Sequence, residues 1–276
     1  MKQVSTTIIS NIELIQGHHL ICVEAPDIAV AAQPGQFVMV RCEEKLILRR
    51  PLSIHQVAHQ SQIHFLFAVP SKINRSYSGT PLRKVEAVVG KGQGTLWLSQ
   101  RQKDERLDLL GPSGHGFFIE TGSQNLLLLA GGIGIAPLVF LAQQALNQHK
   151  SVTLLLGART KTWLYPLEHL PKGIKTIVTT EDGSAGQKGM ITDVLPDFVA
   201  LADQIFACGP KAMYQALDTQ RQKAKKPIQV SLEVRMGCGL GACYGCGIKT
   251  AHGMKRVCQD GPVFNLNDIQ LQEVRI

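Results

Sequence analysis

Through the first third of the chain, short apolar runs alternate with polar positions at a period of two. The runs are STTIISNIELI (5–15), GHHLICVEA (17–25), GQFVMVRC (35–42), KLILRRPLSIHQV (45–57) and SQIHFLFAV (61–69), punctuated by AAQPGQ and GPSGHG. Alternation puts one face of each run in a core, and closely spaced Gly and Pro turn the chain back, so residues 1–120 are expected to form a small antiparallel β-barrel or sandwich. From about residue 124 the texture changes. NLLLLAGG, SVTLLLGAR, KTIVTTEDG and DQIFACGP read as strands, and IAPLVFLAQQALNQ, ITDVLPDFVALA and KAMYQALDTQRQKAK as helices between them. Strands alternating with helices predict a parallel sheet covered by helices over 121–227. A third, small unit is expected over 228–276, which makes the chain an α+β multidomain protein.

Composition narrows the class. The chain has 276 residues, 44% of them hydrophobic, enough for several packed cores. Its formal charge is +8, but Lys and Arg are scattered, the densest group is KAKKP at 223–227, and no aromatic residues interleave it. No nucleic-acid partner is therefore expected. The apolar run LLLLAGGIGIAPLVFLA (126–142) is broken by Gly131, Gly132, Gly134 and Pro137, so it reads as strand, turn and helix and not as a membrane span. MKQVSTTIISNIEL lacks the apolar stretch and cleavage site of a signal peptide. Four of the seven cysteines crowd between 238 and 258, unlike a secreted disulfide framework, and a reducing cytoplasm is expected.

Those crowded cysteines carry the strongest chemical signal. MGCGLGACYGCGIKT (236–250) and the later Cys258 give Cys238, Cys243, Cys246 and Cys258 in the order C-x4-C-x2-C-x11-C. The first two spacings are those of plant-type 2Fe-2S sites, whereas the gap to the last cysteine is short and implies a compact wrapping. Gly237, Gly239, Gly241, Gly245 and Gly247 allow a tight curl and leave backbone N–H groups free to face sulfur. A structural zinc site is the alternative; it usually pairs two C-x2-C knuckles, and only Cys243 and Cys246 form one here.

AGGIGIAPL (130–138) lies between a predicted strand and a predicted helix. Gly131, Gly132 and Gly134 could turn backbone amides toward a pyrophosphate at the helix N-terminus, with Pro137 suited to the first turn. The third Gly of the dinucleotide fingerprint is missing, and the same turn could be a close-packed corner. TTEDGS (179–184), with Asp182 and Gly183, and ACGP (207–210) fall at further strand ends, where open α/β sheets bind ligands. Cys208 reads either as a buried thiol or as a residue beside a nicotinamide. In LRRPLSI (48–54), Arg50 offers a fork for phosphate and Ser53 a hydroxyl for a ring nitrogen; a surface basic pair before a turn is the other reading.

A barrel with R-x-x-S, an α/β unit with GGxGxxP and a late CGP resembles the ferredoxin-NADP reductase superfamily. With MGCGLGACYGC and KRVCQDGPVF added, nearly the whole chain looks like the electron-transfer subunits of class B dihydroorotate dehydrogenases. The resemblance implies FAD on the barrel, held by Arg50, Pro51, Leu52 and Ser53, by Gly94 and Thr95, and by a second segment at Ala87, Val88 and Val89. That second segment ends a stretch, VPSKINRSYSGTPLRKVEAVV, longer than the family pattern. It further implies NAD(H) on the α/β domain and a 2Fe-2S cluster on Cys238, Cys243, Cys246 and Cys258. Arg159 and Lys161 could face a 2′-phosphate or be solvated charges; the resemblance implies NADH. The implied partner is an FMN-containing dihydroorotate-oxidising subunit in a heterotetramer of two catalytic and two electron-transfer chains, with the face at 237–247 at the interface. Alone, the chain would be a diaphorase. A flavin and iron-sulfur subunit of a ferredoxin-dependent NADPH oxidoreductase or a hydrogenase complex is the nearest rival. The nine histidines read as surface or packing residues, without metal spacing.

Overall fold

The computed structural model describes residues 1–69, 92–224 and 226–274, with side chains left undescribed at 221–224. Strands β1 (Lys2–Ile15), β2 (His18–Glu24), β3 (Phe37–Arg41), β4 (Arg50–Ala58), β5 (Gln62–Ala68) and β6 (Arg106–Ser113) close an antiparallel barrel in the order β1-β2-β5-β4-β3-β6. Period-two patterning does the work: Ile8, Ile21, Val23, Val38, Val40, Ile54, Ile63, Phe65 and Leu109 all point inward and are fully buried. Two short helices accompany the barrel, α1 (Pro26–Ala29) and α2 (Gln93–Ser99). The KLIL part of the predicted fourth run is not strand; pairing begins at Arg50, opposite Val40 of β3.

The second domain contains β7 (Asn125–Gly131), α3 (Ala136–Asn147), β8 (Ser151–Ala158), β9 (Lys175–Thr180), β10 (Gln187–Lys188), α4 (Ile191–Val199), β11 (Gln204–Cys208), α5 (Lys211–Ala224) and β12 (Ile228–Ser231). Beyond it come β13 (Gly247–Thr250), β14 (Gly253–Arg256), α6 (Val257–Asp260) and β15 (Val263–Asn265). The sheet order is β10-β9-β8-β7-β11-β12-β15, parallel from β10 to β12 and antiparallel at β15. Leu126, Leu128 and Ala130 face α3, while Leu127 and Leu129 face the core shared with α4 and α5. Each such leucine contributes about 1.5–3 kcal/mol by leaving water.

The sheet crosses the sequence boundary drawn at 227. Strands β12 and β15 both lie in the 228–276 region, yet they extend the nucleotide-type sheet, because β12 hydrogen bonds to β11 and β15 returns beside β12. The cysteine region therefore docks on the sheet through a common core containing Cys246, Ile248, Val257, Cys258, Leu266 and Ile269. Among the described residues, no helix is long and apolar enough to cross a membrane.

Candidate functional site

Chain order reverses at β7, which has β8 on one side and β11 on the other. At such a switch point two strand ends diverge into their connections and leave a crevice at the C-terminal edge of the sheet. Gly131 ends β7 and Cys208 ends β11, paired to Ala130, so the glycine turn and the CGP loop flank that crevice. The turn is a 3-10 segment, Gly132–Ile135, running into α3 with Pro137 in its first turn. Contact between the two loops depends on missing side chains. A Cβ on Gly134 would lie 2.0 Å from the Cys208 carbonyl oxygen, and one on Gly131 would lie 2.6 Å from Pro210 Cδ.

Cys208 is half-buried, and burial pushes its thiol up to about 12. It therefore stays protonated at neutral pH and offers a neutral surface, not a thiolate nucleophile. Tyr214 secures the loop, its hydroxyl accepting from Gly209 N (3.0 Å) and donating to Ser231 O (2.7 Å). Asp182 and Gly183 lie on the same edge of the sheet after β9, two strands from β7. Asp182 accepts from Ser184 N and Oγ at 2.9 and 2.6 Å, which holds its carboxyl below the ordinary range. Lys161 N donates to Ser184 Oγ, so the GARTK and TEDGS loops form one unit.

On the barrel, Arg50, Pro51, Leu52 and Ser53 open β4 opposite Val40, Met39, Val38 and Phe37. Leu52 points into the barrel core, leaving only its backbone to meet a ligand, whereas Arg50, Pro51 and Ser53 are partly exposed. The two arginines divide their work. Arg49 makes a two-pronged ion pair with Asp108, Nη1–Oδ1 and Nη2–Oδ2 both 2.9 Å, and Nη1 also donates to Asp108 O and Met39 O. Arg50 lies across Gly94, where a Cβ would come within 2.6 Å of its Nε, and its Nη1 donates to Leu48 O at 2.6 Å. The R-x-x-S strand and the Gly94-Thr95 pair are thus brought together although 44 residues separate Arg50 from Gly94 (94 minus 50). Ala87, Val88 and Val89 lie outside the described residues.

The cysteines wrap a short loop. Cys238 Sγ accepts from Leu240 N (3.3 Å) and Cys243 N (3.4 Å), Cys258 Sγ from Gly241 N (3.2 Å), and Cys246 Sγ from Cys258 N (3.4 Å). These N–H groups, that of Leu240 foremost, pull the Cys238 thiol down to about 6, while burial and the neighbouring Cys246 push Cys258 up to about 12. Among the described residues, no three or more His, Cys, Asp or Glu side chains are drawn together as they would be around one ion. Cys238 has Cys243 as a neighbouring thiol, and Cys258 has both Cys246 and Cys238. Two thiolates per iron, with amides directed at sulfur, is the donor set a 2Fe-2S cluster requires. Gly241 is the one cluster glycine in these contacts; Leu240, Cys243 and Cys258 supply the others.

Three further contacts were not legible in the sequence. Gly239 (φ +69°) packs on Met39, where a Cβ would lie 2.5 Å from Met39 Cγ, and Met39 is the β3 partner of Pro51. The cysteine loop is thereby seated against the strand that borders the R-x-x-S segment. Arg256 Nη1 donates to Gly241 O at 2.9 Å, and its guanidinium sits over the Tyr244 ring at 5.0 Å. His55, two positions beyond Ser53, is buried between the domains and bonded to Ala136 and Tyr165. A histidine beside the inward-facing Ile54 of an apolar strand was its only signal.

The comparisons with known proteins agree with this geometry. Residues 233–270 match the iron-sulfur cluster binding domain of dihydroorotate dehydrogenase B, and residues 128–219 match the oxidoreductase NAD-binding domain. A protein of Desulforamulus reducens, named dihydroorotate dehydrogenase B (NAD(+)), electron transfer subunit, is 39% identical, covering 87% of this chain and 88% of its own. One of the same name from Bacillus cereus (strain G9842) is 35% identical over 98% of this chain and 100% of its own. Among solved structures, an NADH-dependent reduced ferredoxin-NADP oxidoreductase studied for flavin-based electron bifurcation superposes with a TM-score of 0.80 at 28% identity. That match covers 97% of this chain and 90% of the other. A ferredoxin NADP+ reductase from Neisseria gonorrhoeae with bound FAD and NADP shares the fold, with a TM-score of 0.61 at 14% identity over 81% of this chain and 92% of the other.

Proposed function

Because the chain belongs to the family of dihydroorotate dehydrogenase B electron transfer subunits, we propose that it passes electrons between NAD(H) and the FMN of a dihydroorotate-oxidising partner. It is an oxidoreductase subunit that uses FAD and a 2Fe-2S cluster on the way. The observation that carries the route is the seating of Gly239 on Met39, opposite Pro51, which sets the cysteine loop beside the flavin strand. When bound, nicotinamide supplies a hydride, FAD takes two electrons and releases them singly, and the cluster carries one electron at a time.

The residues prepare each exchange. Arg50, laid flat on Gly94, offers a guanidinium to a pyrophosphate or phosphate, while Arg49 stiffens the strand through Asp108. Ser53 presents a hydroxyl next to Pro51. Gly131, Gly132 and Gly134 let the β7 turn close on Cys208 and leave room for a nucleotide along the sheet edge, with Asp182 and Gly183 on the outer side. Protonated Cys208 shields the nicotinamide position without competing as a nucleophile. Cys238, Cys243, Cys246 and Cys258 hold the cluster, and N–H groups on their sulfurs favour its reduced form.

The exit face is apolar. Leu240, Tyr244 and Met254 are 50%, 64% and 63% exposed around the cysteine loop, suited to a protein surface. The partner docks there, in an assembly of two catalytic and two electron-transfer chains in the cytoplasm. Reconstitution tests this: the chain mixed with an FMN-containing catalytic subunit reduces NAD+ at the expense of dihydroorotate, and Tyr244→Glu with Leu240→Glu abolishes that coupling while leaving NADH diaphorase activity intact. Coupling that survives the double substitution refutes the interface.

A further inference from the structure

The packing of the barrel on the second domain is sealed by one polar network. His55 of β4 is 1% exposed, and its Nδ1 lies 2.9 Å from Ala136 O and its Nε2 3.0 Å from the Tyr165 hydroxyl. A carbonyl only accepts, so Nδ1 carries the proton. Neutral imidazole then leaves Nε2 as an acceptor, and Tyr165 donates to it. Burial keeps the imidazole neutral and the phenol protonated, as this pattern requires.

The partners are what give the network meaning. Ala136 is the first residue of α3, directly after the glycine turn and before Pro137. Tyr165 follows the GARTK loop by four positions (165 minus 161). His55 itself lies two positions after Ser53 on the flavin strand. One imidazole therefore ties both nucleotide-side segments, 131–137 and 159–165, to the R-x-x-S strand. The neighbouring His64 and the nearby His169 make no such tie; His64 has no hydrogen-bond partner on either ring nitrogen.

We propose that His55 is a positioning residue for the exchange between nicotinamide and flavin: it sets the distance and angle at which the nucleotide turn faces the flavin strand. This rests on the function given above. A misplacement of about 1 Å at a reacting pair costs on the order of 100-fold in rate, so a tether at this junction has leverage that ordinary packing lacks.

The test uses the FAD- and cluster-loaded chain. His55→Asn can still donate to Ala136 but not reach Tyr165; Tyr165→Phe removes only the hydroxyl; His55→Leu removes both ties. Two readouts are taken: the single-turnover rate of flavin reduction by NADH and by C4-deuterated NADH, and amide hydrogen exchange without nucleotide. The expected result is a rate loss of about 10-fold or more for His55→Leu, with a larger isotope effect and a dissociation constant for NAD+ changed far less than the rate. Exchange should accelerate in both 131–137 and 159–165 for His55→Leu, but only in 159–165 for His55→Asn and Tyr165→Phe, with the barrel strands unchanged. Equal rates, isotope effects and exchange in wild type and variants overturn the proposal. If His55→Leu does not yield folded, FAD-loaded protein, Tyr165→Phe decides by the same criteria. A wild-type flavin that NADH does not reduce would instead refute the function itself.

Discussion

Gly134 gives the sharpest structural prediction. In Gly134→Ala the new Cβ would sit 2.0 Å from Cys208 O, 2.4 Å from Cys208 C and 2.9 Å from Gly209 N, all backbone atoms of the adjoining strand end. Normal contact needs about 3.4 Å or more, so the β7 turn and the end of β11 must separate by more than an ångström. No side chain can swing aside to absorb the change. Overpacking of this kind costs about 3 kcal/mol or more, which for a chain of this size lowers Tm by roughly 6–12 °C. Two other glycines calibrate the scale. Gly132→Ala meets nothing within 4 Å but must keep φ +56°, at a cost of about 1–2 kcal/mol. Gly122→Ala meets nothing and needs no special φ, so it should be neutral. Thermal unfolding followed by FAD release and by circular dichroism, with NAD+ titration of each variant, gives the order Gly122→Ala, Gly132→Ala, Gly134→Ala for loss of stability. Nucleotide affinity should fall most in Gly134→Ala. A Gly134→Ala protein as stable and as tight for NAD+ as Gly122→Ala would refute the close approach of the two loops.

Arg50→Ala should cost FAD occupancy with little loss of apoprotein stability, whereas Arg49→Ala, which breaks the two-pronged Asp108 pair, should cost about 1–2 kcal/mol while FAD binding persists; flavin-to-protein ratios and denaturant unfolding separate the two. Arg256→Gln removes a positive charge from Gly241 O, part of the peptide that leads to Ala242, whose N–H faces Cys238. The cluster's midpoint potential should fall by on the order of 50 mV, the equivalent of about 1 kcal/mol for one electron, as read by potentiometric titration with electron paramagnetic resonance; an unchanged potential contradicts the relay. Burial lowers the pKa of His55 from 6.5 to about 4. The unfolded chain therefore takes up a proton that the folded one refuses, so stability is unaffected above pH 6.5 and falls as pH drops from 6.5 toward 4. The loss is about 3 kcal/mol, and His55→Asn should lack that component when the two pH profiles are subtracted; parallel profiles would exclude it. His64 and His169 face the same imidazole and remain in both proteins.

What the sequence disclosed follows from the range of the forces involved. Barrel strands and the strand-helix alternation are written in local periodicity, so β1, β2, β3, β5, β7, β8, β9 and β11 were legible, whereas β6 was not among the runs read from the sequence. The β4–β5 turn was not, because His59 and Gln60 adopt φ of 50° and 57° without a glycine to announce it. Nor was the placement of β12 and β15 in the central sheet, since edge pairing is decided by tertiary register and not by the strands' own composition. Among the site residues, cysteine spacing has a local geometric meaning: Cys238, Cys243 and Cys246 share one loop, and Cys258 meets it from α6 through Gly241 N. Arg50 and Gly94, by contrast, meet only through the barrel's closure, which motif resemblance anticipated and periodicity could not. Met39, His55 and Arg256 act through partners 12 to 200 residues away in sequence: Pro51 and Gly239 for Met39, Ala136 and Tyr165 for His55, Gly241 for Arg256. Nothing in their own neighbourhoods marks such roles.

Electron flow through a single chain is the central claim, and an anaerobic NADH titration tests it most directly. The purified chain, carrying flavin, iron and acid-labile sulfide, is titrated with NADH while flavin absorbance and the low-temperature paramagnetic signal of the cluster are recorded, alongside Cys258→Ser. The account predicts that NADH bleaches the flavin in both proteins and that a reduced-cluster signal grows in the wild type only. Flavin that bleaches in a wild-type chain whose iron-sulfur cluster stays oxidised, or a chain that binds zinc in place of iron, would contradict it.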